Sequence, residues 1–181
     1  MELPLHTPRL LLREFVETDW QAVQEYACLP EVVRYMPWGP NSEADSREFV
    51  GRALAAQIVA PRVTYELAAV WRESGQLIGG CGLAVQNTHR VGEIGYCLRP
   101  DFWGRGCAAE AAGALLALGF EQLQLHRIQA GCDPENAASR RVLEKLGMQL
   151  EGRLRQNLQM RGEWRDSLQW SILEHEWRAR R

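Results

Sequence analysis

Between Tyr65 and Leu98 the chain sets short apolar runs between polar breaks. Tyr65–Trp71, Leu77–Val85 and Val91–Leu98 each read as a strand. Ser74-Gly75 divides the first two and Asn87-Thr88-His89 the next two. Links this short favour antiparallel neighbours. Upstream, Arg9–Glu14 (RLLLRE) reads as a strand, and Thr18-Asp19 as the cap of a helix over Trp20–Ala27. Asn41 or Ser42 caps a second helix, about 44–58. Between these helices, Tyr35-Met36-Pro37-Trp38-Gly39-Pro40 carries two prolines and a glycine, which excludes regular structure. Downstream, an alanine- and leucine-rich stretch over about 106–123 is apolar nearly all round, as suits a helix buried against a sheet. Arg127–Cys132 reads as a strand that Asp133-Pro134 ends, and Asn136–Leu146 as a helix closed by Gly147. Met148–Arg153 and Ser167–Leu173 read as two more strands. A meander followed by helix, strand, helix and strands predicts a mixed α/β chain with α+β-like order, not a doubly wound parallel sheet.

Composition narrows the function classes. A length of 181 residues predicts one domain over 1–181. With 46% hydrophobic and 24% charged residues, the chain is neither a disordered tail nor a fibre. A net charge of −2 argues against a nucleic-acid partner. The longest mostly apolar run, Cys107–Phe120, is interrupted by Glu110 and falls short of the roughly 20 residues that span a bilayer. No membrane partner is therefore expected. The start, Met1-Glu2-Leu3-Pro4, shows no signal peptide. The five cysteines (Cys28, Cys81, Cys97, Cys107, Cys132) are scattered and never spaced C-x-x-C, which predicts reduced thiols, a cytoplasmic protein and no metal site.

The informative segment is Glu93–Glu110, EIGYCLRPDFWGRGCAAE. A strand ends, a short loop follows, and a helix opens on Gly-Arg-Gly-Cys-Ala-Ala. The first amides of a helix lack internal partners. Glycine and alanine let an anion approach them, and the helix dipole favours it. The residues thus read as a phosphate cradle, or as a loop glycine pair before a core helix with no ligand. Gly104, Gly106 and Ala109 also fit the dinucleotide pattern G-x-G-x-x-A. The context contradicts that fingerprint: the preceding strands form a meander, and no acid closes the next strand before Asp133.

Tyr96–Glu110 (YCLRPDFWGRGCAAE) followed by Asp133–Met148 (DPENAASRRVLEKLGM) resembles the acyl-CoA-binding core of the GNAT superfamily of N-acetyltransferases. The superfamily pattern Q/R-x-x-G-x-G/A falls on Trp103-x-x-Gly106-x-Ala108, with tryptophan at the first position. That form, the start Thr7–Arg13 and the tail segments Arg161–Leu168 and Leu173–Trp177 resemble the RimJ/RimL branch, which acetylates ribosomal-protein N-termini. The resemblance implies a single acyl-CoA N-acyltransferase domain. Its GNAT-like fold would be a central, mostly antiparallel sheet with a splayed parallel strand pair, flanked by helices. It implies acetyl-CoA as co-substrate, lying between the strands Val91–Leu98 and Arg127–Cys132. Backbone groups of Cys97, Leu98 and Arg99 would hold the pantetheine arm. The amides of Gly104, Arg105, Gly106, Cys107, Ala108 and Ala109 would hold the diphosphate. Asn136 would bond the donor near its thioester; a plain helix cap explains it as well. Arg99, Arg105, Arg140, Arg141 and Lys145 fall on the two donor segments, a solvated helix face being the better reading for Arg141 than for Arg105 or Lys145.

Acetyl transfer needs a neutral amine, a polarised carbonyl and a protonated leaving thiolate. A lysine-like amine of pKa about 10.4 is neutral in roughly one molecule in a few thousand at pH 7, an α-amine in about one in ten. Glu93 is the candidate base, matching the catalytic glutamate of some superfamily members, and burial would raise its pKa. An exposed strand carboxylate is the alternative. A backbone N–H near Cys97 or Leu98 would polarise the carbonyl. Ser139 stands where the RimL-like branch has a serine proposed as the acid for the thiolate; as a hydroxyl of high pKa it would relay or orient. Cys97 and Cys107 have no histidine nearby in sequence, which argues against an acyl-cysteine. Trp20, Trp71 and Trp170 read as core, Trp38 and Trp164 as acceptor-pocket lining. Glu43, Asp45 and Glu48 suit a cationic acceptor or an exposed helix face. The expected function is acetyl transfer to a small-molecule amine or a protein N-terminal amine by direct attack in a ternary complex, as monomer or homodimer. The rival is a non-catalytic acyl-CoA sensor.

Overall fold

The computed structural model describes residues 3–86 and 89–180. In chain order the strands are β1 (Leu5–His6), β2 (Leu10–Glu14), β3 (Thr64–Trp71), β4 (Leu77–Gln86), β5 (Val91–Leu98), β6 (Arg127–Cys132), β7 (Gln149–Met160) and β8 (Glu163–Leu173). The α-helices are α1 (Trp20–Ala27), α2 (Pro30–Val33), α3 (Glu43–Gln57), α4 (Cys107–Ala117), α5 (Ala137–Lys145) and α6 (Glu174–Ala179). Among the described residues these eight strands form one sheet in the order β1-β2-β3-β4-β5-β6-β8-β7. Every neighbouring pair is antiparallel except β5 and β6. The expected mixed α/β fold with one parallel pair is the one observed.

Strand alternation sorts the core into two layers. Leu67 and Ala69 of β3 join a cluster with Leu115, Leu116, Ile128, Leu143 and Trp177, on the side of α4, α5 and α6. Ala68, between them, joins Phe15, Val23, Tyr26, Val50 and Ala53 on the side of α1 and α3. Each layer buries the apolar stripe of its helices.

Local chemistry explains most boundaries. Ser42 caps α3: the Asp45 N–H donates to Ser42 Oγ at 3.2 Å, and the Ser42 N–H donates to Asp45 Oδ2 at 2.8 Å. Asp19 does not cap α1. Its carboxylate accepts from Arg13 at 2.6 and 2.9 Å and from the Val16 N–H at 2.8 Å. The alanine-rich helix is α-helical only to Ala117 and leaves as a π turn over Leu118–Gln122, burying Phe120 against Trp177 at 5.2 Å between ring centroids. Strands β7 and β8 extend well beyond the expected segments. The stretch Asn87-Thr88, expected as part of a turn, lies outside the described residues. Trp170 is core, whereas Trp20 and Trp71 are half-buried; Trp20 stacks under the Arg47 guanidinium at 3.4 Å. Among the described residues no helix is long and apolar enough to cross a membrane.

Candidate active site

The site begins where the one parallel pair comes apart. β5 and β6 are in register only at Val91↔Arg127, Gly92↔Ile128 and Glu93↔Gln129. Beyond that point β5 continues to Leu98 and β6 to Cys132 without pairing to each other. A cavity of about 470 Å³ opens in the splay, lined by Ile94–Leu98 on one side and Ala130–Asp133 on the other. Arg99 N–H donates to Ile78 O at 2.8 Å, towards β4. In a regular antiparallel ladder the direction of the N–H alternates, so the amides of Tyr96 and Leu98 face the splay and that of Cys97 faces β4. Of the two expected carbonyl-polarising amides, Leu98 is the one directed at the gap.

The same cavity runs to the start of α4, where Gly104, Gly106, Cys107, Ala108 and Ala109 line it. Gly106 is the cap residue at φ +80°, in the left-handed region that a side chain disfavours. The first amide of this helix with a backbone acceptor is that of Glu110, on Gly106 O at 3.1 Å. The preceding amides are therefore open to an anion. Glu110 anchors this turn to the N-terminal segment. It accepts from Thr7 Oγ1 at 2.6 Å, Arg9 N–H at 2.8 Å and Arg9 Nε at 2.7 Å. Burial pushes the Glu110 carboxyl up, and these donors outweigh it and hold it below the usual carboxylate range. Arg9 also donates to Arg105 O at 2.8 Å.

The cations divide differently from expectation. Arg99 pairs with Glu25 and Asp101, and Arg105 lies over the Phe102 ring at 5.2 Å. Neither these two nor Arg140 lines the cavity, whereas Arg141 and Lys145 both do. The reason is local: acidic and aromatic neighbours occupy the loop arginines, while α5 turns Arg141 and Lys145 to the gap. Asn136 and Ser139 line it too. Asn136 Oδ1 caps α5 by accepting from the Ser139 N–H at 3.0 Å. Ser139 Oγ lies 2.9 Å from the Tyr96 hydroxyl. Burial pushes the Tyr96 phenol up to about 12, against the hydrogen bond it shares with Ser139, so it stays protonated near neutrality. Burial likewise raises the Cys97 thiol to about 12, which keeps it a poor nucleophile.

A second cavity, of about 880 Å³, lies on the α1 and α3 side of the sheet and shares Ile94, Gly95, Tyr96 and Cys97 with the first. Its floor is the face formed by Thr64 and Glu66 of β3, Gly80, Gly82 and Ala84 of β4, and Glu93, Gly95 and Cys97 of β5. Trp38 lines the opposite wall. The loop carrying it is held by Arg161 Nη2, which donates to the carbonyls of Val33 at 2.9 Å, Trp38 at 3.1 Å and Gly39 at 3.1 Å. Trp164 lines neither cavity. It sits at the turn end of the β7–β8 hairpin, 59% exposed.

Glu93 lines the larger cavity, yet it is exposed, contrary to the expected burial. It stands at the last paired position beside β6 and accepts from Gln129 Nε2 at 3.1 Å. Two site groups had escaped the sequence. Tyr96 was visible only as part of a strand, since its partner Ser139 lies 43 residues on. Glu66 sits inside an unremarkable strand, YELAAVW, and only the sheet register places it beside β5 through Gly82. Burial pushes the Glu66 carboxyl up, and the Arg52 charge opposes that.

Comparison with known proteins agrees with this geometry. The acetyltransferase (GNAT) domain family matches residues 9–149. The chain is 37% identical over 171 residues to YnaD of Bacillus subtilis, an uncharacterized N-acetyltransferase, covering 94% of this chain and 97% of that one. The crystal structure of a GNAT-family acetyltransferase from Bacillus anthracis superposes with a TM-score of 0.86 at 35% identity, covering 95% and 99% of the two chains. The spermidine N-acetyltransferase of Vibrio cholerae, solved with CoA and spermine, shares the fold at a TM-score of 0.81 and 21% identity, over 94% and 99%. With the splayed strands, the open helix start and these matches together, the chain belongs to the GNAT family of N-acetyltransferases.

Proposed function

We propose that the chain is a single acyltransferase domain over residues 1–181 that moves an acetyl group from acetyl-CoA to a primary amine by direct attack in a ternary complex, in the cytoplasm. The observation that carries this reading is the pair of cavities meeting along Ile94–Cys97, one running to the open amides of α4, the other bare of them. A sensor needs only the first; the second gives an acceptor its own approach to the splay.

Acetyl-CoA supplies an activated acyl group on a thiol leaving group. The chain's residues do the rest. The amides of Gly104–Ala109 receive the diphosphate, with Arg141 and Lys145 adding positive charge. The Leu98 N–H polarises the thioester carbonyl. Glu93, on the acceptor side, takes the ammonium proton, directly or through water. The hydroxyl pair Tyr96–Ser139 returns a proton to the thiolate as the carbon–sulfur bond breaks. The acceptor is a small-molecule amine or a protein N-terminus. The Vibrio relative was solved with spermine, and the RimJ/RimL resemblance points to N-termini.

A thiol-release assay with acetyl-CoA and a panel of amines tests this reading. Wild type should turn over at least one amine, and Glu93→Gln should lower kcat by about a hundredfold or more with CoA affinity held. Equal rates would remove Glu93 from the mechanism. No release with any amine would favour the sensor.

A further inference from the structure

We propose that Glu66 is the specificity-determining carboxylate of the acceptor cavity, selecting amines that carry a second cationic group. This rests on the larger cavity being the acceptor half of the site.

The sheet register sets the placement. Glu66 pairs with Gly82, and Gly82 pairs with Gly95, so the three share one row and one face. The next row is Ala68–Gly80–Cys97, which borders the splay. Strands lie about 4.8 Å apart, so Glu66 roots roughly 10 Å from β5. Its side chain spans part of that distance by lying over Gly82. A Cβ at Gly82 would come within 2.7 Å of Glu66 Oε2 and 2.9 Å of Cδ. The missing Cβ at Gly82 is therefore what admits the carboxylate, and at Gly95 nothing lies within 4 Å of where a Cβ would be. The row is a carboxylate followed by a bare trough that leads to the gap between β5 and β6.

The other carboxylates of this cavity are engaged. Asp45 closes the α3 cap with Ser42, Glu48 pairs with Arg52, and Glu93 accepts from Gln129. Burial and the charge of Arg52 act on Glu66, and among the described residues no hydrogen bond to its carboxylate adds to them. Arg52, the cation that acts on it, also lines this cavity and is paired with Glu48, so a half-buried carboxylate without a hydrogen-bonded partner still gains from a further cation. An ammonium displaced by a short chain from the reacting amine would supply it. The reacting amine lies towards Cys97 and Leu98, and the second ammonium meets Glu66 over Gly82.

The test compares aliphatic diamines with monoamines of equal length, in wild type, Glu66→Gln, Glu66→Asp and Gly82→Ala. Wild type should prefer a diamine over its matched monoamine in kcat/KM by about tenfold or more. That ratio should collapse towards one in Glu66→Gln and recover in part in Glu66→Asp. Gly82→Ala should lower it in the same direction by displacing the carboxylate; circular dichroism checks its fold, and the Glu66 variants carry the test should it not fold. A ratio near one in wild type, or an unchanged ratio in Glu66→Gln, overturns the proposal. Calorimetric titration of the CoA-loaded protein with the diamine separates this from failure of the acetyltransferase reading. Binding that weakens about tenfold in Glu66→Gln supports Glu66 even where no amine turns over. Equal affinity in both proteins overturns it.

Discussion

Tyr96 and Ser139 show how much chemistry rests on one contact. Their hydroxyl oxygens are 2.9 Å apart at the rim of the splay, and burial keeps the phenol protonated. Tyr96→Phe should lower kcat by about tenfold or more while leaving the KM for acetyl-CoA within about twofold, measured by thiol release under saturating amine. An unchanged kcat would leave Ser139 without a relay partner. Gly106→Val acts on the other end of the donor site. At φ +80° a side chain costs about 1–2 kcal/mol of stability, and a Cβ there comes within 3.5 Å of Arg9 Nη2, in the turn that presents the amides. Calorimetry should show CoA affinity falling by more than tenfold in a protein that still melts cooperatively; unchanged affinity would contradict the cradle. The residues of the cradle are legible because their chemistry is local: glycines, alanines and a helix start follow one another in sequence. Glu66 and Tyr96 act on groups brought near by pairing across the sheet, which composition and spacing do not carry.

At the scale of elements, α4 is fixed by a carboxylate in its first turn. Glu110 binds Thr7 and Arg9, and so ties the N-terminal segment to the cradle. Glu110→Ala should cost about 1–3 kcal/mol in urea unfolding, because it leaves the Arg9 N–H and guanidinium without their carboxylate acceptor and the Thr7 hydroxyl with Leu10 O alone. A loss below a few tenths of a kcal/mol would make the tie incidental. The same glutamate reads in sequence only as an interruption of an apolar run, since its partners lie about a hundred residues away. Elements with end signals were well placed: the cap at Ser42 marks α3, and Asp133-Pro134 follows the end of β6. The sequence marks only the first half of β7, because its residues are nearly all exposed and no apolar alternation signals the outer half. β8 extends it by pairing along an edge.

For the whole molecule, one sheet whose parallel pair parts after three registered positions defines the site. Its far side is stapled by Arg127 of β6, which reaches across Ser171 of β8 to Glu151 of β7 at 2.6 Å. Hydrogen bonds from Arg127, then Ser171, and the Arg127 charge hold the Glu151 carboxyl at about 2, below its ordinary 4.5. A lowered folded-state pKa contributes stability that is complete above the ordinary value and lost as pH falls through the folded one. The melting temperature of wild type should thus exceed that of Glu151→Gln by a constant margin above about pH 5, shrinking towards pH 2. A margin independent of pH would show that the ion pair contributes nothing.

The central claim is that the amides opening α4 receive the diphosphate while the splay receives the arm. Amide chemical shifts in a nitrogen-15-labelled sample, followed as CoA is added, test it most directly. The largest changes should fall on Gly104–Ala109 and on Tyr96–Leu98. Changes concentrated elsewhere, with those amides unmoved at saturation, would contradict it.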